Sequence, residues 1–144
     1  MKRCKVALIG LGRWGSAYAD VLAQLHHAEL VGISDLDKNN IEILGSKLGT
    51  RSYLNYKEML DKEKPEAVFV CTADWEHLGP CLEIIERDMH LFVEKPLAMN
   101  LSDGKEIVEA ANSKKIKFSV GHILRFDPRY YKVYELVKNG QLGT

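Results

Sequence analysis

The chain has 144 residues, 46% hydrophobic and 28% charged, with 20 Lys and Arg against 20 Asp and Glu. That is enough for about one domain with a sizeable core, and zero net charge gives no general attraction to nucleic acid or an acidic membrane surface. Three cysteines without C-x-x-C spacing, scattered histidines and no apolar run near the roughly 20 residues of a membrane span leave no expectation of disulfides, a metal centre or a membrane anchor. Met1-Lys2-Arg3 runs straight into an apolar segment, without the pattern of a signal peptide, so the chain reads as cytoplasmic.

Lys5–Ile9 is a continuous apolar run, the pattern of a strand covered on both faces. Trp14, Ala17, Tyr18, Val21, Leu22 and Leu25 then recur at helical spacing and predict one buried stripe. Leu30–Ser34 is a second strand, and Asp37 or Asn39 can cap the following helix with Ile41, Leu44 and Leu48. A short strand at Arg51–Tyr53 and a brief helix from Tyr56 to about Asp61 come next. Pro65 marks the entrance to a strand at Ala67–Cys71. Leu78, Cys81, Leu82 and Ile85 form another helical stripe, Leu91–Val93 is the fifth strand, and Ile107, Val108 and Ala111 anchor the next helix. Ile116–Val120 is the sixth strand, and Tyr130, Val133, Tyr134 and Val137 define a last helix stopped at Asn139-Gly140. Residues 114–144 carry seven Lys and Arg against Asp127 and Glu135, a solvated face or the edge of an anion-binding cleft.

Strands alternating with helices predict an α/β fold: a doubly wound, six-stranded parallel sheet in the order 3-2-1-4-5-6, with right-handed crossovers. Ligands bind such sheets beyond the carboxyl ends of the strands. Gly10–Gly15, Asp35, Cys71–His77, Glu94–Pro96 and Gly121–Arg125 all follow strand ends and should converge there.

Gly10-Leu11-Gly12-Arg13-Trp14-Gly15 sits between the first strand and the first helix, the place of a pyrophosphate-holding turn. Gly10 permits the tight turn, Gly12 lets backbone approach a phosphate, and Gly15 lets helix and strand pack closely. Asp35, twenty residues past Gly15, can accept hydrogen bonds from both hydroxyls of an adenosine ribose. It would repel a 2′-phosphate, which Leu36 offers no charge to hold, so NAD is expected over NADP. A plain cap of the Asp-Leu-Asp turn is its other reading.

Lys95 can place a cation beside a substrate hydroxyl or carbonyl, stabilising a developing alkoxide or relaying a proton; a surface lysine is the alternative. Thr72 and its neighbouring backbone can border a ribose, and Trp75 can cover an apolar face. His77 is either a ligand-side group or a helix-start histidine bonded to nearby backbone. His122 and Arg125 can reach a substrate from the opposite side, or Arg125 can tie its loop to Asp127.

Together, Val6 to Gly15, Ser34-Asp35, Cys71-Thr72 through His77, Leu91 to Ala98 with Glu94-Lys95-Pro96, and Val120-Gly121-His122 with Arg125 to Pro128 resemble the N-terminal domain of the glucose–fructose oxidoreductase / inositol dehydrogenase (Gfo/Idh/MocA) family. The resemblance covers essentially the whole chain. It implies an NAD- or NADP-dependent oxidoreductase acting on a sugar, polyol or related hydroxyl or carbonyl compound. By it, Gly10, Gly12, Arg13, Trp14, Gly15, Asp35, Thr72, Asp74, His77, Glu94 and Lys95 are cofactor-binding, Lys95 is catalytic, and His122 and Arg125 lie on the substrate side. Thr72-Ala73 stands where the family often has Thr-Pro.

The family usually continues into a second α+β domain with an Asp-x-x-x-His pair for proton transfer. Residues 1–144 therefore read as one dinucleotide-binding domain ending where that substrate domain would begin. Cofactor binding is expected to survive alone better than catalysis, and the surface left by a missing domain to allow self-association. A stand-alone NAD-binding or redox-sensing module is the competing reading.

Overall fold

The strands are β1 (Cys4–Ile9), β2 (Ala28–Ser34), β3 (Arg51–Tyr53), β4 (Ala67–Val70), β5 (His90–Val93) and β6 (Phe118–Val120). The helices between and after them are α1 (Arg13–Gln24), α2 (Lys38–Leu48), α3 (Tyr56–Glu63), α4 (Leu78–Glu86), α5 (Leu101–Ser113) and α6 (Pro128–Lys138). In this computed structural model, which describes residues 2–142, all strand pairs are parallel and the order is β3-β2-β1-β4-β5-β6, as the alternation predicts.

Successive side chains of a strand face opposite ways, and β1 shows the consequence. Val6 and Leu8 join Ala19, Leu22, Ile33 and Ile41 under α1 and α2. Ala7 and Ile9 join the larger core under α3, α4 and α5, with Met59, Leu60, Val68, Val70, Ile84 and Ile107. Burying an aliphatic side chain of this kind stabilises the fold by about 1.5–3 kcal/mol.

Caps set the helix ends. Asp37, one of the two expected candidates, caps α2 by accepting from the N–H groups of Asn39 and Asn40, and Gly49 closes the helix in the left-handed region at φ +63°. Asn55 and Asn100 cap α3 and α5 in the same way.

The stripe expected on α1 holds in part: Leu22 is buried and Tyr18 half-buried against the core as expected, but the rest of the row is turned. Gly15, Ala19 and Leu22 are the buried row, while Trp14, Val21 and Leu25 are about half exposed. The cause is Gly15, which must face the backbone of Gly10 and so turns the small-residue row toward the sheet. Two other expectations are corrected. Val108 is exposed on α5, and Tyr130, Val133, Tyr134 and Val137 form no buried stripe, since no residue of α6 is buried. Among the described residues no helix is long and apolar enough to cross a membrane.

Candidate functional site

Five of the strands extend their hydrogen-bonding by one residue, and those residues line up along the carboxyl edge of the sheet; on β2 it is Asp35, whose N donates to Tyr53 O at 3.3 Å. Gly10 N donates to Ser34 O at 2.8 Å, Cys71 N to Ile9 O at 2.7 Å, Glu94 N to Val70 O at 2.9 Å and Gly121 N to Val93 O at 2.8 Å. The loops that leave from these points are the ones expected to converge.

At the glycine turn, Gly10 has φ +90°, and a Cβ there would stand 2.6 Å from the backbone of Cys71 and Thr72. A Cβ on Gly15 would fall 1.8 Å from Gly10 O. Both positions are therefore closed to any other residue. Around Gly12 the opposite holds: nothing lies within 4 Å of where a Cβ would be, which leaves open space over the start of α1. No side chain caps that helix, so its first-turn N–H groups and its positive end are free for an anion.

Asp35 straps this turn in place. One carboxylate oxygen accepts from Leu11 N and the other accepts from Asp37 N at 2.8 Å. The turn-capping reading of Asp35 thus describes a real contact. It does not exclude the ribose reading, because each oxygen keeps a lone pair and Asp35 also lines the cleft.

Glu94 is buried at 6% exposure and is met from two sides. Tyr18 Oη donates to its Oε1 at 2.7 Å, and Lys95 N donates to its Oε2 at 3.0 Å. Gly121 makes room for it, since a Cβ there would stand 2.8 Å from Oε1. Burial, then the hydrogen bond to Glu94, holds the Tyr18 phenol well above its usual range. Tyr18 also packs edge-on against Phe92, with ring centroids 5.3 Å apart. Nothing in the sequence pairs residues 76 positions apart, so Tyr18 is a site residue that its place on an apolar stripe conceals.

Lys95 itself is exposed, forms no ion pair among the described residues, and precedes a cis peptide bond to Pro96. Beside it, burial and then Glu94 push the Cys71 thiol up to about 12, so it is inert near neutral pH.

One cleft of about 390 Å³ gathers Gly10, Gly12, Arg13, Trp14, Asp35, Thr72, Asp74, Glu94 and Lys95, together with Cys71 and Ala73. The last two were not singled out by residue type because they contribute wall and no chemistry. Thr72 Oγ1 is buried without a partner, a polar group left for a ligand to satisfy. A second cavity of about 290 Å³ is lined by Gly121, His122, Ile123, Leu124 and Arg125, and Lys95 belongs to both.

Gly15 lies beneath the turn and outside the cleft. His77 takes the second of its two readings: its ring is 1% exposed, and Nδ1 lies 2.9 Å from Pro96 O and 3.3 Å from Leu97 O, behind the wall. Trp75 is exposed and lines neither cavity. Arg125 does not tie its loop to Asp127. That carboxylate is taken by Arg129 at 2.6 and 3.0 Å, two residues on in the same helical turn, while Asp127 caps α6.

An open parallel sheet whose glycine turn, acidic strand end and lysine loop meet in one cleft defines a dinucleotide-binding domain of the Rossmann class. The family described as an oxidoreductase family with an NAD-binding Rossmann fold, Gfo/Idh/MocA, matches residues 4–122, and the chain belongs to it.

The chain is 31% identical over 140 residues to a myo-inositol 2-dehydrogenase of Thermotoga maritima, covering 96% of this chain and 42% of that protein. Among solved structures, myo-inositol 2-dehydrogenase from Lactobacillus plantarum superposes with a TM-score of 0.93 at 30% identity, over 99% of this chain and 43% of that one. Scyllo-inositol dehydrogenase from Lactobacillus casei, with bound NAD(H) and scyllo-inositol, superposes at 0.89 with 26% identity, over 99% of this chain and 43% of that one. The chain thus spans less than half the length of the relatives it matches.

Proposed function

We propose that this chain supplies the nucleotide half of an oxidoreductase that moves a hydride between NAD and a hydroxyl or carbonyl compound of the sugar or polyol class. The observation that carries the reading is the single cleft running from the glycine turn and Asp35 to Glu94 and Lys95. The residues fit the cofactor. The uncapped start of α1 and the open space at Gly12 suit a pyrophosphate, Asp35 suits a ribose diol, and the unpartnered Thr72 hydroxyl suits a second polar contact.

Bound nicotinamide supplies the hydride chemistry. The protein's part is placement and charge. Buried Glu94 fixes the start of the lysine loop through Lys95 N. Lys95 lines both the cofactor cleft and the cavity of His122 and Arg125, which puts its ammonium within reach of both. A cation there stabilises oxyanion character on a substrate and can donate or take up its proton. The inositol dehydrogenases it resembles make a polyol the substrate class proposed here, with His122 and Arg125 on its side.

The free thiols among the described residues support a cytoplasmic setting. The exposed Phe126, Tyr130 and Tyr134 support self-association when the chain is alone. Neutral net charge argues against nucleic-acid or membrane partners.

Asp35 sets the preference for NAD, against one opposing group, the Arg13 guanidinium in the same cleft. Calorimetry of the 144-residue chain is the test. NAD should bind at one site per chain, at least about tenfold tighter than NADP, a difference of about 1.4 kcal/mol, and Asp35→Asn should narrow the gap. Equal affinities would mean that Arg13 prevails and would overturn the preference. Binding of neither nucleotide would overturn the reading of the cleft.

A further inference from the structure

Lys95 is held unequally on its two sides. Toward the sheet, Lys95 N donates to Glu94 and Glu94 N continues the β4–β5 ladder. Away from the sheet, residues 95–100 form no helix or strand. There, among the described residues, the hydrogen bonds reaching the backbone of residues 96–99 are those of His77 to the carbonyls of Pro96 and Leu97.

We infer that His77 is a positioning residue: from behind the cleft its imidazole ties down the far side of the lysine loop and so sets where the Lys95 ammonium stands beside the nicotinamide. The inference rests on the reading that Lys95 faces the nicotinamide end of the cofactor.

The chemistry of the contact fixes the tautomer. Both partners of Nδ1 are carbonyl oxygens, which only accept, so Nδ1 carries the proton. Nε2 is buried without any partner. An apolar ring would fill the same space without burying that atom. What the imidazole adds is one donor, and it is aimed at the two residues that follow Lys95. His77 is itself anchored, because it opens α4 and its carbonyl accepts from Cys81 N at 3.1 Å. The loop is thereby tied to a helix packed in the core.

A test that separates positioning from general support compares NAD with ADP-ribose, which shares every part of NAD except the nicotinamide. Calorimetry on the 144-residue chain should show that His77→Ala and His77→Gln weaken NAD binding by about 2–10-fold, the worth of one hydrogen bond, while ADP-ribose binding changes less than about twofold. His77→Asn should restore NAD binding, because its amide nitrogen stands where Nδ1 stands. Equal loss for both ligands, no loss for either, or no rescue by Asn would overturn the positioning role. A wild-type chain that binds NAD no better than ADP-ribose would instead overturn the reading of the nicotinamide end, and the inference with it. Where the Ala variant does not fold, nitrogen-15 spectra of the wild-type imidazole decide. A protonated Nδ1 with a bare Nε2 supports the tie, and the reverse overturns it.

Discussion

α4 and α6 are short helices of 9 and 11 residues, each with apolar side chains at helical spacing. α4 buries Pro80, Cys81, Ile84 and Ile85 against the sheet and α5, whereas α6 buries nothing and touches chiefly the 3-10 turn at Ile123–Phe126 that precedes it. The difference lies in what surrounds them. α4 connects two interior strands, so the parallel crossover lays it across the sheet, while α6 follows β6 at the sheet's edge, where no further strand draws it back. Helical periodicity therefore announces a face that wants cover, and the topology around it decides whether cover arrives. The same division separates the glycine turn, locked at Gly10 and Gly15 by packed backbone, from the lysine loop, held by two hydrogen-bonding groups.

The contrast can be broken most severely at the packed end. Gly15→Val places a side chain 1.8 Å from Gly10 O, so the variant should lose NAD binding altogether and show no cooperative melt at the wild-type temperature. A folded, NAD-binding variant would mean that the turn can move. Next, Ile84→Ala in α4 should cost about 2–5 kcal/mol by urea denaturation, while Val133→Ala in α6 should stay within about 0.5 kcal/mol. Comparable losses would mean that α6 is covered in solution.

Tyr18→Phe comes last in size. It leaves a buried Glu94 oxygen without its donor, at a cost of about 1–3 kcal/mol. Because the Tyr18 phenol is raised in the folded chain, its contribution is fully present below about pH 10, the unfolded phenol's value, and is lost as pH rises toward the folded one. Urea midpoints should therefore fall above pH 10 more steeply for the wild type than for Tyr18→Phe. Identical alkaline limbs would remove the phenol–carboxylate contact from the account.

Much of this was readable in the chain itself. Parallel strands need crossovers and a buried strand needs apolar runs, so the element order and sheet order follow from local patterns, and so does the edge where the loops gather. What escaped the sequence depends mostly on geometry between separate segments, and in one case on a local choice between two arginines. On α1, Leu22 and Tyr18 face the core as expected, but Gly15 and Ala19 complete the buried row because Gly15 must meet Gly10. Asp127 pairs with Arg129 and not Arg125, because a helix's first turn folds back on its cap. Tyr18 joins Glu94 from a distant helix, 76 residues away in the chain. No spacing rule reaches across such separations. The strand expected from Ile116 begins only at Phe118: Ile116 is apolar, yet it packs on the core from the irregular stretch before the strand.

The central claim is that one cleft holds the pyrophosphate at the glycine turn and the nicotinamide at Lys95. Backbone amide spectra of the 144-residue chain, titrated in parallel with NAD and with ADP-ribose, test it most directly. Gly10 to Gly15 and Asp35 should shift with both ligands, and Glu94, Lys95 and Gly121 with NAD alone. Equal shifts at Lys95 with both ligands, or none at the glycine turn with either, would contradict it.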